Sequence, residues 1–102
     1  MSNKLKDEKM DYLFKAIMEL KSLDECYRFF EDLCTVQELK AFSQRLHVAR
    51  LLCQNKVYNQ IVTETGASTA TISRVNRMLN YGQDGYKIIF ERLESKEDSE
   101  NE

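Results

Sequence analysis

The sequence predicts an all-α protein of about six helices. Its 102 residues include only three glycines and no proline, so few residues interrupt a helix. Apolar residues recur three and four positions apart in most segments, which is the spacing of one helix face, and no segment shows the alternation of a β-strand. A chain of this length suits a single domain with a modest core.

The N-terminal third of the chain is predicted to form a flexible start and two helices. Residues 1–9 are polar and charged, and we expect them to be flexible. The first helix is predicted over residues 10–21, with an apolar stripe of Met10, Leu13, Phe14, Ile17 and Met18. The second begins after Ser22, because Ser22 and Glu25 match a capping box. Its apolar residues surround much of the helix, so we expect burial against its own chain and against a partner subunit.

The longest helix is predicted from Thr35 to about Asn55. Thr35 and Glu38 match a second capping box. The core stripe of this helix is predicted to be Leu39, Phe42, Leu46, Ala49, Leu52 and Cys53. His47 lies outside that stripe, at a surface or an interface.

The cysteines and the single histidine do not suggest a chemical site. Cys26, Cys34 and Cys53 are far apart and form no C-x-x-C pair, which argues against a disulfide framework and a zinc site. We expect three buried thiols. With one histidine, neither a metal cluster nor a histidine-based catalytic pair can be assembled, so the sequence does not favour an enzyme.

Residues 58–81 predict a short helix, a tight turn and a second helix. Ile61 is the main apolar anchor of the short helix, and Gly66 ends it, because a residue without Cβ readily takes the left-handed conformation. Ser68 then caps a helix over residues 69–80. The apolar face of this second helix is predicted to be Ile72, Val75, Met78 and Leu79.

The opposite face of that second helix is small, rich in hydroxyl groups and basic. It consists of Thr69, Ala70, Thr71, Ser73, Arg74 and Arg77. Such a face suits the major groove of DNA, because small side chains permit close approach and arginines neutralise phosphates. The helix N-terminus at Ser68 adds N–H groups that attract phosphate. These features predict a DNA-binding helix-turn-helix, although two helices joined by a glycine turn also occur in other all-α proteins.

The C-terminal part is predicted to be one more helix followed by a tail. A turn containing Gly82 and Gly85 leads to a helix from about Asp84 to Leu93, with apolar positions at Tyr86, Ile89, Phe90 and Leu93. Residues 94–102 have the composition of a disordered acidic tail. The predicted domain organisation is therefore a flexible stretch over residues 1–9, one helical domain over residues 10–93, and this tail.

Charge is unevenly distributed along the chain. The net charge is −2, but residues 43–87 carry six basic and two acidic side chains, whereas residues 91–102 carry two basic and six acidic ones. Lys56 is one of these six basic residues. Because the middle segment is locally basic, the acidic total does not exclude DNA binding. No apolar run approaches the length needed to cross a membrane and residues 1–12 lack the apolar core of a signal peptide, so we expect a cytoplasmic protein.

Two segments resemble the Trp repressor superfamily, and closely its YerC/YecD branch. They are TVQELKAFSQRLHVARLL at residues 35–52 and GASTATISR at residues 66–74, and the similarity extends over residues 10–93. The resemblance implies an all-α, intertwined homodimer whose N-terminal helices wrap around the partner, with one helix-turn-helix per subunit; the Trp repressor is a standard example of that motif. It also implies that DNA is contacted by Tyr58, Asn59, Val62, Thr69, Ala70 and Ser73.

The resemblance also concerns a ligand site. The two arginines that bind the corepressor in the family correspond to Arg45 and Arg74. Where the repressor has glycine after the second arginine and serine one turn later, this chain has Val75 and Met78. Because Val75 would narrow the slot and Met78 offers no acceptor to an ammonium group, we expect no dependence on tryptophan. Arg45 and Arg74 would then contact phosphate or bridge a dimer, and an effector of another kind is left open.

The sequence therefore predicts a homodimeric regulator of transcription, expected to be a repressor, that binds double-stranded DNA and needs no cofactor. The alternative is a helical protein-interaction module. DNA binding requires Arg50, Lys56, Arg74 and Arg77 on one face near the second motif helix, whereas an interaction module would expose an apolar patch there.

Overall fold

The computed structural model describes residues 4–101, with side chains described for residues 4–98. Over that range it contains six helices and no strand, which confirms the predicted fold class. The helices are α1 (Glu8–Met18), α2 (Leu23–Leu33), α3 (Val36–Cys53), α4 (Tyr58–Thr65), α5 (Thr69–Tyr81) and α6 (Gly85–Asn101). The chain divides into two compact units, Met1–Val36 and Gln37–Glu102.

In the first unit, side-chain caps determine where both helices begin. Asp7 caps α1 by accepting a hydrogen bond from the N–H of Met10 (2.7 Å), so the helix begins before the predicted Met10 and includes part of the stretch expected to be flexible. Ser22 Oγ accepts from the N–H of Glu25 (3.1 Å), as predicted, and Glu25 accepts from the N–H of Lys21 (2.9 Å). Because this cap holds Ser22 in an extended conformation, α1 cannot continue to Lys21 and ends at Met18.

The first unit has no buried residue in either of its helices. Phe29 and Phe30 are half-buried and their rings meet edge to face, with 5.5 Å between centroids. The predicted burial of α2 against its own chain is therefore wrong for the single chain, because two helices of 11 residues are too short to enclose a core. The large apolar residues left exposed on this unit are Leu5, Tyr12, Phe14, Met18, Leu23, Tyr27, Leu33 and Val36.

The second unit contains the core. Its buried residues are Val48, Ala49 and Leu51 of α3, Ile61 of α4, Ala67 of the turn, and Ile72, Val75 and Leu79 of α5. The half-buried residues that pack against them are Leu52, Tyr58, Val62, Tyr86 and Phe90. The helix-turn-helix thus shares one core with α3 and α6, which fixes the orientation of α5.

The stripe predicted for α3 is correct for Ala49 and Leu52, which lie in or against the core, and wrong for Phe42, Leu46 and Cys53, which are exposed. The core also takes Val48 and Leu51. The helix is apolar on two faces, and periodicity alone does not decide which of them packs against the rest of the chain. The prediction of three buried thiols is also wrong: Cys26 and Cys34 are half-buried, and Cys53, on the uncovered face, is exposed. The helix ends at Cys53, since Asn55 adopts a positive φ of 63°.

The last helix is longer than predicted. α6 begins at Gly85, one residue after Asp84, and continues to Asn101, so residues 94–101 are helical instead of forming a disordered tail. Four of these eight residues are glutamate or lysine, which are good helix formers, and no glycine or proline interrupts the segment. Of the residues predicted to be its apolar face, Tyr86 and Phe90 stack with 6.0 Å between centroids, whereas Ile89 and Leu93 are exposed. None of the helices in the described range is long and apolar enough to span a membrane.

Gly82 ends α5, and its position leaves no room for a side chain. Its N–H donates to the carbonyl oxygen of Met78 (2.9 Å), and a Cβ atom on Gly82 would overlap that same oxygen. We expect Gly82→Ala to lower the free energy of unfolding by about 1–3 kcal/mol, because backbone atoms must shift. Gly85→Ala is the matched control, since a Cβ there meets no atom within 4 Å. Urea unfolding compares the two, and equal effects would contradict the overlap.

Candidate nucleic-acid interface

The turn between α4 and α5 is held by a network of hydrogen bonds. Gly66 has a φ of 72° and donates its N–H to the carbonyl oxygen of Val62 (2.8 Å), as predicted for a helix end. Thr65 Oγ1 donates to the carbonyl oxygen of Ile61 (2.7 Å) and accepts from the N–H of Ala67 (3.1 Å). Gln44 of α3 donates to the carbonyl oxygen of Thr65 (3.2 Å). These bonds tie the turn to α3, so α4 and α5 keep a fixed angle.

Ser68 begins α5, as the sequence predicts. Its Oγ accepts from the N–H of Thr71 (3.1 Å) and lies 3.0 Å from Thr71 Oγ1, to which it donates. Thr71 is half-buried, whereas Ser68 is exposed. Both hydroxyl groups therefore take part in the cap, and a contact of either residue with DNA would compete with this local bond.

α5 presents two distinct faces. Ile72, Val75 and Leu79 are buried in the core. The opposite side is exposed and carries Thr69, Ala70, Ser73, Arg74 and Arg77. Met78, predicted on the apolar face, is instead exposed, because adjacent helical residues point about 100° apart and Leu79 occupies the core side.

The residues predicted on and before α4 fall into two groups. Asn59 is exposed and accepts a hydrogen bond from Thr63 Oγ1 at its carbonyl oxygen (3.0 Å). Tyr58 and Val62 are half-buried against the core, and Lys56 is half-buried with its N–H bonded to the carbonyl oxygen of Leu51 (3.1 Å). Thr63, which the sequence analysis did not single out, is also exposed. It lies one helical turn after Asn59, and this spacing could have identified it as a residue on the same face.

The basic side chains of α5 are available to a ligand. Arg74 and Arg77 are exposed, and within the described residues no carboxylate lies within ion-pairing distance of either. Arg50, which was predicted to share a face with these two arginines, lies elsewhere. It lines a groove of about 570 Å³ between α3 and α6, together with His47, Glu94 and other residues. The exposed cationic part of the motif is therefore formed by the two arginines of α5.

The two arginines that resemble the family's corepressor pair lie in different surroundings. The guanidinium of Arg45 lies over the ring of Phe42, 5.5 Å from its centroid, and Arg74 is exposed on α5. Neither arginine lines the groove between α3 and α6. Val75 is buried in the core, and its side chain therefore occupies space that a glycine at this position would leave empty. Met78 is exposed one turn after Arg74.

An all-α scaffold that presents a short helix, a glycine turn and a capped second helix defines a helix-turn-helix protein. The family model described as Trp repressor protein matches residues 8–94, and the chain belongs to the Trp repressor family, a family of DNA-binding regulators. The resemblance predicted from residues 35–52 and 66–74 is thereby confirmed.

Individual relatives agree with this assignment. The chain is 54% identical over 95 residues to the uncharacterized protein YerC of Bacillus subtilis (strain 168), a match that covers 93% of this chain and 91% of that protein. The crystal structure of a TrpR-like protein from Eubacterium eligens ATCC 27750 is similar with a TM-score of 0.87 and 58% identity, over 90% of this chain and 95% of that one. A candidate Trp repressor from Staphylococcus aureus has a TM-score of 0.86 and 50% identity, over 89% and 91%.

Proposed function

We propose that this protein is a homodimeric, sequence-specific DNA-binding regulator of transcription that acts as a repressor in the cytoplasm. The observation that carries the proposal is the exposed face of α5. Its short side chains, Thr69, Ala70 and Ser73, would contact base edges, and Arg74 and Arg77 would contact phosphates. The opposite face of the helix is locked in the core, so the contact face has a fixed direction.

The uncovered apolar residues of α1 and α2 support the dimer. Neither helix buries a residue in the single chain, and large apolar side chains such as Tyr12, Met18 and Leu23 are exposed on both. Apolar surface of this extent marks a protein interface. A two-fold dimer would present two copies of α5 to half-sites one helical turn of DNA apart, about 34–36 Å.

Selection of DNA from a random pool tests the proposal. The purified full chain should enrich a palindromic sequence, because a two-fold dimer reads two equivalent half-sites. Lys87→Ala, which removes an exposed charge outside the motif, should enrich the same sequence, whereas Ser73→Glu should enrich none. A folded dimer that enriches no sequence would instead support a protein-interaction module, the function that the exposed residues of α1 and α2 also suit.

Tryptophan should not bind this protein tightly. Met78 is exposed one turn after Arg74 and offers only a weak thioether acceptor to the ammonium group of an amino acid. We expect no measurable heat when L-tryptophan is titrated into the wild type, and an operator affinity that tryptophan leaves unchanged. Met78→Ser supplies a hydroxyl acceptor and should strengthen binding about tenfold, with Gln83→Ser, in the exposed turn after α5, as control. Tight binding of L-tryptophan to the wild type would instead indicate that tryptophan acts as a corepressor of this protein.

A further inference from the structure

The turn between α5 and α6 contains an aspartate that is followed by a glycine. Asp84-Gly85 is the only such pair in the chain, and no asparagine is followed by glycine. An Asp-Gly pair can rearrange without an enzyme, because the amide nitrogen of the glycine can attack the side-chain carboxyl of the aspartate. Glycine favours this attack, since it has no Cβ atom to hinder the approach of its nitrogen. The pair is therefore a candidate site of covalent change.

The fold leaves both reacting groups accessible. Gln83, Asp84 and Gly85 are exposed, and a Cβ atom on Gly85 would meet no atom within 4 Å. Gly85 is the first residue of α6, so its N–H has no acceptor within that helix. The carboxylate of Asp84 lies 3.6 Å from Lys87 Nζ, but both side chains are more than half exposed. Such an exposed ion pair restrains a side chain only weakly.

The backbone of Asp84 is strained. Its φ of 62° lies in the left-handed region, which residues with a Cβ atom rarely adopt. Closure of a ring between Asp84 and Gly85 rotates the peptide bond that joins them and releases this strain, which favours the reaction. Asp32 provides the contrast within the same chain, because it lies inside α2 in regular helical conformation and is followed by Leu33.

We propose that Asp84 isomerises spontaneously to isoaspartate in the folded protein. The nitrogen of Gly85 loses its proton and bonds to Cγ of Asp84, and one carboxyl oxygen leaves as water, which gives a cyclic succinimide. Water then adds to either carbonyl group of the ring. Opening at the main-chain carbonyl gives isoaspartate, and opening at Cγ restores aspartate. The net reaction consumes no reagent and leaves the mass of the chain unchanged.

Isomerisation at this position would loosen the start of α6. The main chain would pass through the side chain of Asp84, and the former main-chain carbonyl would become a free carboxylate. In the native chain this carbonyl accepts a hydrogen bond from the N–H of Ile88 (3.0 Å). Tyr86 and Phe90 of the same helix pack against the core that holds α5. The modification thus acts on the support of the helix-turn-helix, and it does not depend on the proposed function.

Peptide mapping of aged full-length protein tests the proposal. The folded chain is incubated for several weeks at neutral pH and digested with trypsin, and electron-transfer fragmentation distinguishes isoaspartate from aspartate in the peptide of residues 78–87, MLNYGQDGYK. We expect a second form of this peptide, with the same mass and with isoaspartate at position 84. Absence of isoaspartate at Asp84, or an equal yield at Asp32, overturns the proposal.

Two variants and the separated product complete the test. Gly85→Ala should lower the yield about tenfold, because a Cβ atom hinders the attacking nitrogen, and an unchanged yield would contradict the mechanism. Asp84→Asn should react faster, since ammonia leaves more readily than water. The purified isoaspartate form should unfold about 4–8 °C below the native chain, the shift that corresponds to one lost hydrogen bond in a domain of this size. An unchanged Tm would overturn the proposed effect on α6.

Discussion

Phe30→Ala is expected to remove the folded dimer at micromolar concentration. Truncation of a phenylalanine in a core costs about 3–5 kcal/mol, and in an obligate dimer that loss acts on folding and assembly together. Phe30 is only half-buried in the single chain and packs edge to face on Phe29. The proposed partner subunit would therefore supply the remaining burial. Sedimentation and thermal unfolding at several protein concentrations measure the effect.

Asp32→Ala is the matched control for that experiment. Asp32 is an exposed residue in the same helix, so its removal should change stability by no more than about 0.5 kcal/mol. Phe29→Ala should act like Phe30→Ala, since adjacent residues point about 100° apart and one subunit cannot easily cover both rings. A wild type that sediments as a stable monomer at micromolar concentration would contradict the dimer.

Arg77→Ala is expected to weaken operator binding and to flatten its salt dependence. Each neutralised phosphate contributes about −0.9 to the slope of log affinity against log salt concentration. One arginine lost from each subunit should therefore change the slope by nearly two units per dimer. Arg77 is exposed on the face of α5 opposite the core, which places it where a phosphate contact is available. Binding titrations between about 50 and 200 mM salt give the slope.

Lys87→Ala controls for a general loss of positive charge. Lys87 lies on α6, 3.6 Å from Asp84, and outside the helix-turn-helix. The Lys87→Ala substitution should leave the salt-dependence slope unchanged, although it also removes one positive charge per subunit. An unchanged slope for Arg77→Ala would place this arginine away from the phosphates, and a changed slope for Lys87→Ala would extend the interface to α6.

The turn and the helix start of the helix-turn-helix could be predicted from the sequence, because local interactions determine them. Gly66 and Ser68 act within a few residues of themselves, through a left-handed conformation and a side-chain cap, so their effects do not depend on distant parts of the chain. The same holds for Ser22 and Glu25 at the start of α2. Ile72, Val75 and Leu79 were also predicted correctly, because α5 has a single apolar face.

Only the tertiary structure showed which of the two apolar faces of α3 is buried. On α3, Val48 and Leu51 pack against the motif while Phe42 and Leu46 stay exposed, and both pairs have helical spacing. Helical periodicity identifies the apolar faces of a helix. Which of two apolar faces packs in the core, and what covers the remaining one, depends on residues that are distant in sequence.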